Sequence, residues 1–137
     1  AQEDKMFRRQ LREYTFKMLF HKEFYPSEEL EQQVDNFLQE EEELTQEQRE
    51  AMAARAKNIF DKIPELDEEI AAVSEGWKLD RMGKVDLTII RLALYEMRYD
   101  DQVPEKVAVN EAVEIAKKFG GDSSPQFVNG ILAKLMR

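Results

Sequence analysis

The sequence predicts an all-α fold, and three observations carry that prediction. Apolar residues recur at intervals of three and four along most of the chain. No stretch combines strict alternation with β-branched enrichment and hairpin turn signals. Glycine and proline are scarce, five and four in 137 residues, and most fall where a helix would begin or end. At this length a single domain spanning 1–137, with a sizeable core, is expected.

The elements follow in order. A first helix is expected from about Asp4 to Phe24, with Phe7, Leu11, Tyr14 and Met18 spaced by three and four. Pro26-Ser27 stops it, and Ser27 is a suitable N-cap for a second helix to about Glu43. Thr45 and Gln48 form a capping-box signature for a third helix to about Ile63. Pro64 then opens a shorter helix ending near Gly76, with Leu66, Ile70 and Val73 on one face. Asp80 to Tyr99 is the most apolar segment, and a helix apolar nearly all round belongs at the centre of a bundle. Val103-Pro104 breaks the chain. The next helix runs to Phe119, where Gly120-Gly121 stops it. Ser124-Pro125 places a cap before proline at the first helical position of a last helix, to about Met136. The expectation is about seven helices, with no internal repeat.

Cysteine is absent, which excludes disulfides and thiolate metal sites and makes a reducing cytosol the simplest location. No apolar run approaches the ~18–20 residues of a membrane span, and no signal-peptide pattern stands at the start. Ala1–Lys5 reads as processed sequence, a natural extension or a remnant of expression, with Met6 a candidate natural start. The formal charge of −9 argues against a general nucleic-acid binder. Its distribution tells more. Residues 1–22 carry net +3, residues 23–75 net −13 and residues 76–137 net +1. Because screening confines fields to roughly 10 Å, a positive N-terminal end can present an anion site on an acidic body.

Two motifs stand out in the last third. Val103-Pro-Glu-Lys-Val-Ala-Val-Asn-Glu-Ala-Val-Glu-Ile-Ala-Lys-Lys-Phe-Gly120 precedes Phe127-Val-Asn-Gly-Ile-Leu132. The pair resembles V-P-x-x-V-x-I-N-E-A-[VI]-E-[LI]-A-K-x-[FY]-G ahead of F-V-N-G-[VI]-L in the NusB family of transcription antitermination factors. Only Val109 departs from that pattern, conservatively. The likeness continues from Trp77 through Arg81 and Arg91 to Glu96, and at Arg8-Arg9-Gln10-Leu11-Arg12-Glu13, which is similar to the family's R-R-x-x-R-E. Between residues 25 and 75 it is a likeness of helix pattern alone. The resemblance implies an all-α fold of two packed three-helix units with a seventh helix.

Lys5, Arg8, Arg9 and Arg12 share one helical face, opposite much of the Phe7–Met18 stripe. Guanidinium groups suit phosphate through permanent charge and a planar donor fork. From spacing alone an ordinary solvated face, with a pair such as Arg9–Glu13, is the simpler account. The resemblance reverses this, implying that the arginine-rich helix holds the boxA element of leader RNA. Phe127 is read equally as a core ring or as a stacking platform beside the RNA. Lys117 and Lys118 suit the end of their helix and could extend the basic surface. Asp122, Ser123 and Ser124 form a capping turn. Some relatives carry Asp at the position of Ser123, so the RNA contact there differs in detail. Asn110 and Asn129 are expected to tie helices together by side-chain hydrogen bonds, Trp77 to anchor packing, and Glu40–Glu43 to form a solvated, mobile loop.

Catalysis has little support. His21 is the only histidine, with Met18 rather than Glu three residues before it. There is no Walker A string, no G-x-G-x-x-G loop and no H-E-x-x-H. Neither metal nor cofactor is expected. The resemblance implies a partner, NusE, a basic small-subunit ribosomal protein suited to the acidic body. Carried over by position, Phe20 stands where the family often has a partner-contacting Tyr, and Asp86 where an acidic residue meets NusE. The expected function is loading boxA RNA with NusE onto transcribing RNA polymerase. The alternatives are an acidic protein–protein adaptor or homodimer without a direct RNA role, and the RNA-binding domain of a ribosomal-RNA methyltransferase. The chain's ending at Arg137 without a cofactor-binding domain weighs against the last.

Overall fold

The computed structural model describes residues 2–76 and 78–137, with side chains from Phe7 onward. The side chains of Lys5 and Met6, and the whole of Trp77, lie outside the described residues. The described elements are all helical. They are α1 (Gln2–Phe20), a 3-10 turn (His21–Glu23), α2 (Ser27–Gln39), α3 (Gln46–Val73), a second 3-10 turn (Leu79–Arg81), α4 (Lys84–Tyr99), α5 (Glu105–Phe119) and α6 (Ser124–Leu135). Among the described residues no helix is long and apolar enough to cross a membrane.

Six α-helices therefore stand where about seven were expected, and the difference lies at Pro64. Proline's fixed φ is helical, so its cost inside a helix is one lost hydrogen bond and a clash with the preceding turn. Packing offsets that cost here. Met52, Ala56, Ile59, Ile63, Leu66 and Ile70 are all buried, and their alternating spacing of four and three runs through Pro64 without losing register. At the start of α3 the capping box forms as the sequence predicts. Gln48 N–H donates to Thr45 Oγ1 at 3.1 Å, and Thr45 N–H donates to Gln48 Oε1 at 2.8 Å.

The chain divides into two compact units, the first ending at Asp61 and the second starting at Lys62, within α3. In the first unit the core joins Tyr14 and Met18 of α1, Val34 and Leu38 of α2, Leu44, and Met52 and Ala56 of α3. Leu11, Phe37, Ala53 and Phe60 pack around it, half-buried. Ser27 opens α2 as its first residue, not as its cap; Pro26 holds the N-cap position without a side-chain bond.

In the second unit α4, α5 and α6 pack on one another. The apolar character of α4 is used as expected, with the residues from Leu87 to Ile90 and from Leu92 to Leu94 buried. Arg91 between them is largely buried too, and its charge is met by a two-pronged pair with Asp67, Nε to Oδ1 and Nη2 to Oδ2, both at 2.8 Å. Arg98 bonds to Glu69, to Glu105 and to the Leu135 carbonyl. Through it the last turn of α4, the first residue of α5 and the last residue of α6 meet at one end of the unit.

Candidate nucleic-acid interface

On α1, Arg8 and Arg9 are exposed and Arg12 is half-buried. The stripe on the other side sinks progressively into the core: Phe7 is exposed, Leu11 half-buried, and Tyr14 and Met18 buried. One clamp fixes the roll of the helix. The Tyr14 hydroxyl donates to Glu43 Oε1 at 2.7 Å, while Gln10 Nε2 donates to Glu43 Oε2 at 3.3 Å and to the Tyr14 hydroxyl at 3.2 Å. With Gln10 and Tyr14 held toward the α2–α3 connection, helical geometry turns Arg8, Arg9 and Arg12 the other way.

Glu40, Glu42 and Glu43 are exposed, in line with the expected solvated loop, but the same clamp ties the run down. Glu43 is a fixed acceptor, Arg49 binds the carbonyls of Leu38 and Glu41 at 3.0 and 2.8 Å, and Leu44 is buried. The acidic run is anchored by what flanks it: the Leu38 and Glu41 carbonyls accept the N–H groups of Glu41 and Leu44 as well as the Arg49 guanidinium, which ties α3 to the turn.

Burial, with the carboxylate of Glu43 second, raises the Tyr14 pKa from 10.0 to about 12. The protonated phenol is the form the fold favours. Its contribution is complete below the unfolded value near pH 10 and is lost as the pH rises through about 12. Tyr14→Phe is expected to destabilise by about 1 kcal/mol at neutral pH, since exposed Glu43 can take water instead. In urea titrations the gap between Tyr14→Phe and the parent should narrow above pH ~10. A gap independent of pH up to 12 would show that the hydroxyl is not held as described.

The C-terminal motif lies in the second unit. Lys117 and Lys118 are exposed in the last turn of α5; Lys117 Nζ is 3.3 Å from Glu114, and Lys118 sits over the Phe119 ring at 5.5 Å. The turn to α6 is tight. Gly121 N–H donates to Ser124 Oγ at 3.0 Å, and Ser124 N–H to the Gly121 carbonyl at 3.0 Å. Ser124 is thus a buried first residue of α6 bonded back to the turn, with Ser123 at the N-cap position and Asp122 exposed beside it. Phe127 is half-buried, between the two environments the sequence left open.

Asn110 and Asn129 do not tie helices together as expected. Both are exposed, because the buried rows of their helices are Ala108, Val109, Ala112, Ile115 and Ala116 on α5 and Val128, Ile131, Leu132 and Leu135 on α6. The buried polar residue of the Asn110-Glu111 pair is Glu111. Asp86 is half-buried in the first turn of α4. Phe20 is half-buried, stacked on Phe16 at 5.8 Å and edge-on to Phe24 at 5.1 Å. Phe24, 63% exposed, extends this aromatic row into solvent. It was not singled out from the sequence, although Phe16, Phe20 and Phe24 recur every four residues. His21 Nδ1–H donates to the Lys17 carbonyl at 2.7 Å, and the ring packs against Tyr25 and Phe37. Among the described residues no group of three or more His, Asp or Glu could hold a metal ion.

A family model described as the NusB family matches residues 9–137. The chain is 56% identical over 131 residues to the transcription antitermination protein NusB of Lachnoclostridium phytofermentans, covering 96% of this chain and 99% of the relative. It is 48% identical over 129 residues to that of Agathobacter rectalis, covering 94% and 98%. The fold is similar to a solved structure of T. maritima NusB, with a TM-score of 0.84 and 36% identity, covering 93% of this chain and 89% of the other.

Proposed function

The chain belongs to the NusB family of transcription antitermination proteins, and we propose from that premise that it binds boxA RNA together with NusE on transcribing RNA polymerase, without catalysing a reaction. The observation that carries this reading is the arginine face of α1, turned outward by the Tyr14–Glu43 clamp. Arg8, Arg9 and Arg12 supply charged forks for phosphate, and Lys5 lies on the same helical face by spacing. Phe127 supplies a partly open ring for stacking, worth roughly 1–3 kcal/mol per base, and Lys117 and Lys118 add cations on its unit.

Three or four phosphate contacts give a single-strand salt slope of only about −2 to −3. A partner is therefore needed to hold RNA firmly. The net charge of −13 between residues 23 and 75 favours a basic partner such as NusE. Phe20, backed by Phe16 and Phe24, and Asp86 are the proposed contacts, with Phe20 acting through its ring because it lacks the hydroxyl of a tyrosine.

The exposure of Phe24 favours one second reading, an adaptor or homodimer without an RNA role. One experiment separates them. With NusE present, the triple variant Arg8→Glu, Arg9→Glu, Arg12→Glu is expected to lose boxA binding while keeping its helicity, and the parent to prefer boxA over a scrambled RNA. Undiminished affinity in the triple variant would remove the arginine site. A parent dimer that RNA does not dissociate, seen by sedimentation, would favour the adaptor.

A further inference from the structure

We propose that the groove between α2 and α3, in the first unit, is a docking site for a basic amphipathic helix of a protein partner. It is a site apart from the arginine face of α1, and it stands whether or not that face binds RNA.

The groove follows from the sequences of the two helices. Their connection, residues 40–45, is short, so α3 returns along α2, and Arg49 fastens the turn by its bonds to the Leu38 and Glu41 carbonyls. Further from the turn, residues 27–35 of α2 face residues 53–61 of α3 across a cavity of about 480 Å³. Leu30 and Val34, one turn apart, line one wall, and Ala53, Ala56 and Phe60 line the other. Alanine has no atom beyond Cβ, so Ala53, Ala54 and Ala56 leave open a space that larger side chains would fill between packed helices. The volume is that of an ordinary ligand pocket. The span from Ala53 to Asp61 makes the groove ~12 Å long, which is about two turns of a docked helix.

Charge decides the occupant. The rim carries Glu31 and Asp35 from α2, Lys57 and Asp61 from α3, and Lys22 from the first 3-10 turn, all exposed. Among the described residues none of these five is in an ion pair, although Lys57 and Asp61 stand four apart on one helix, a spacing that permits one. Three carboxylates against two amines leave the rim acidic, within the segment 23–75 of net −13. Such a rim disfavours RNA and an acidic helix alike. A helix with lysine or arginine beside an apolar stripe matches both the rim and the walls. The described elements are all helical, so no sheet edge is present among them to take an extended strand, and a helix laid in the groove is the mode that remains. The exposed rim charges steer and orient the segment, and the apolar side chains that enter the groove supply the affinity.

The test is titration of the full chain with a synthetic peptide of about 15 residues, built of leucine, alanine and lysine, with leucines at spacings of three and four and lysines beside them. The parent is expected to bind it, and to bind a scrambled peptide of the same composition at least ~10-fold more weakly. Ala53→Leu puts bulk into the groove and should lower the affinity by ~10-fold. The pair Asp35→Lys, Asp61→Lys should do the same at exposed positions that leave the fold intact. The pair Glu40→Lys, Glu42→Lys makes an equal change of net charge outside the groove and should bind like the parent. Circular dichroism checks each fold, and if Ala53→Leu is disordered the rim pair decides. Equal losses in the two charge-reversed pairs would show attraction by the acidic body alone and overturn the site. Equal binding of the scrambled peptide, or no binding by the parent at ~1 mM, overturns it as well. A parent dimer that Ala53→Leu dissociates, seen by sedimentation, gives the groove to a second copy and also overturns the proposal.

Discussion

Arg98→Met is expected to destabilise the second unit by about 3 kcal/mol. The arginine side chain is only 8% exposed, and it holds three acceptors from three different parts of the chain. Nε donates to Glu69 at 2.9 Å, Nη1 to Glu105 at 3.4 Å and Nη2 to the Leu135 carbonyl at 2.6 Å. Methionine keeps an apolar stem of similar length and removes all three bonds. The full penalty for breaking a buried ion pair is about 3–5 kcal/mol. The lower end applies because Glu69 and Glu105 are 31% and 25% exposed and also have Arg137, whose Nη2 lies 3.6 Å from Glu69 and whose N–H reaches Glu105. For a chain of this size 3 kcal/mol corresponds to a fall in Tm of roughly 10 °C. Lysine should rescue only in part, since a point charge cannot serve three acceptors set around a planar fork. Along α5, Lys117 and Lys118 lie ~18–20 Å from the junction. Arg98→Met measured well below its Tm should therefore bind RNA like the parent. A Tm within 2 °C of the parent would mean that apolar packing alone closes this end.

That junction was also the part of the fold least legible in the sequence. Local periodicity shows which face of α4 is apolar, but Arg98 stands 29, 7 and 37 residues from its three partners. No spacing rule reaches that far. Local signals did better where both partners are local. Thr45 and Gln48 cap each other three residues apart as expected. Pro64 misled because its φ fits a helix start and a helix interior equally, and only the unbroken Met52–Ile70 row distinguishes them. Asn110 misled in the opposite direction. Its poor helix propensity suggests a side-chain hydrogen bond between helices, while Asn110 is exposed and the neighbouring Glu111 takes the buried position. For the candidate site, the shared face of Arg8, Arg9 and Arg12 was legible. The contact that turns it outward, Tyr14 to Glu43 across 29 residues, was not.

Gly120→Ala is expected to cost about 2–3 kcal/mol and to weaken RNA binding beyond its effect on stability. The reason is space, not backbone conformation. Gly120 has φ −95° and ψ −177°, which alanine adopts freely. A Cβ built there meets Ser124 Cβ at 2.5 Å, Ser124 Oγ at 2.6 Å and the Ala116 carbonyl oxygen at 2.8 Å. None of these can swing aside. The Ala116 carbonyl already accepts the Gly120 N–H at 2.9 Å, and Ser124 is buried with its Oγ bonded to the Gly121 N–H. The turn must open, and the start of α6 moves with it. Gly121→Ala is the matched control, because nothing lies within 4 Å of a Cβ at that position. It should change stability by about 0.5 kcal/mol or less. Phe127 is on the first turn of α6, so the displacement falls on the proposed stacking ring. Losing one stacked base lowers affinity by roughly 5- to 150-fold. Urea denaturation of the two alanine variants, followed by RNA titration with NusE at a temperature where both are folded, separates the effects. Equal stability of the two would show that Ser124 yields. A destabilised Gly120→Ala that still binds boxA normally would remove Phe127 from the RNA surface and leave the arginines of α1 to hold it.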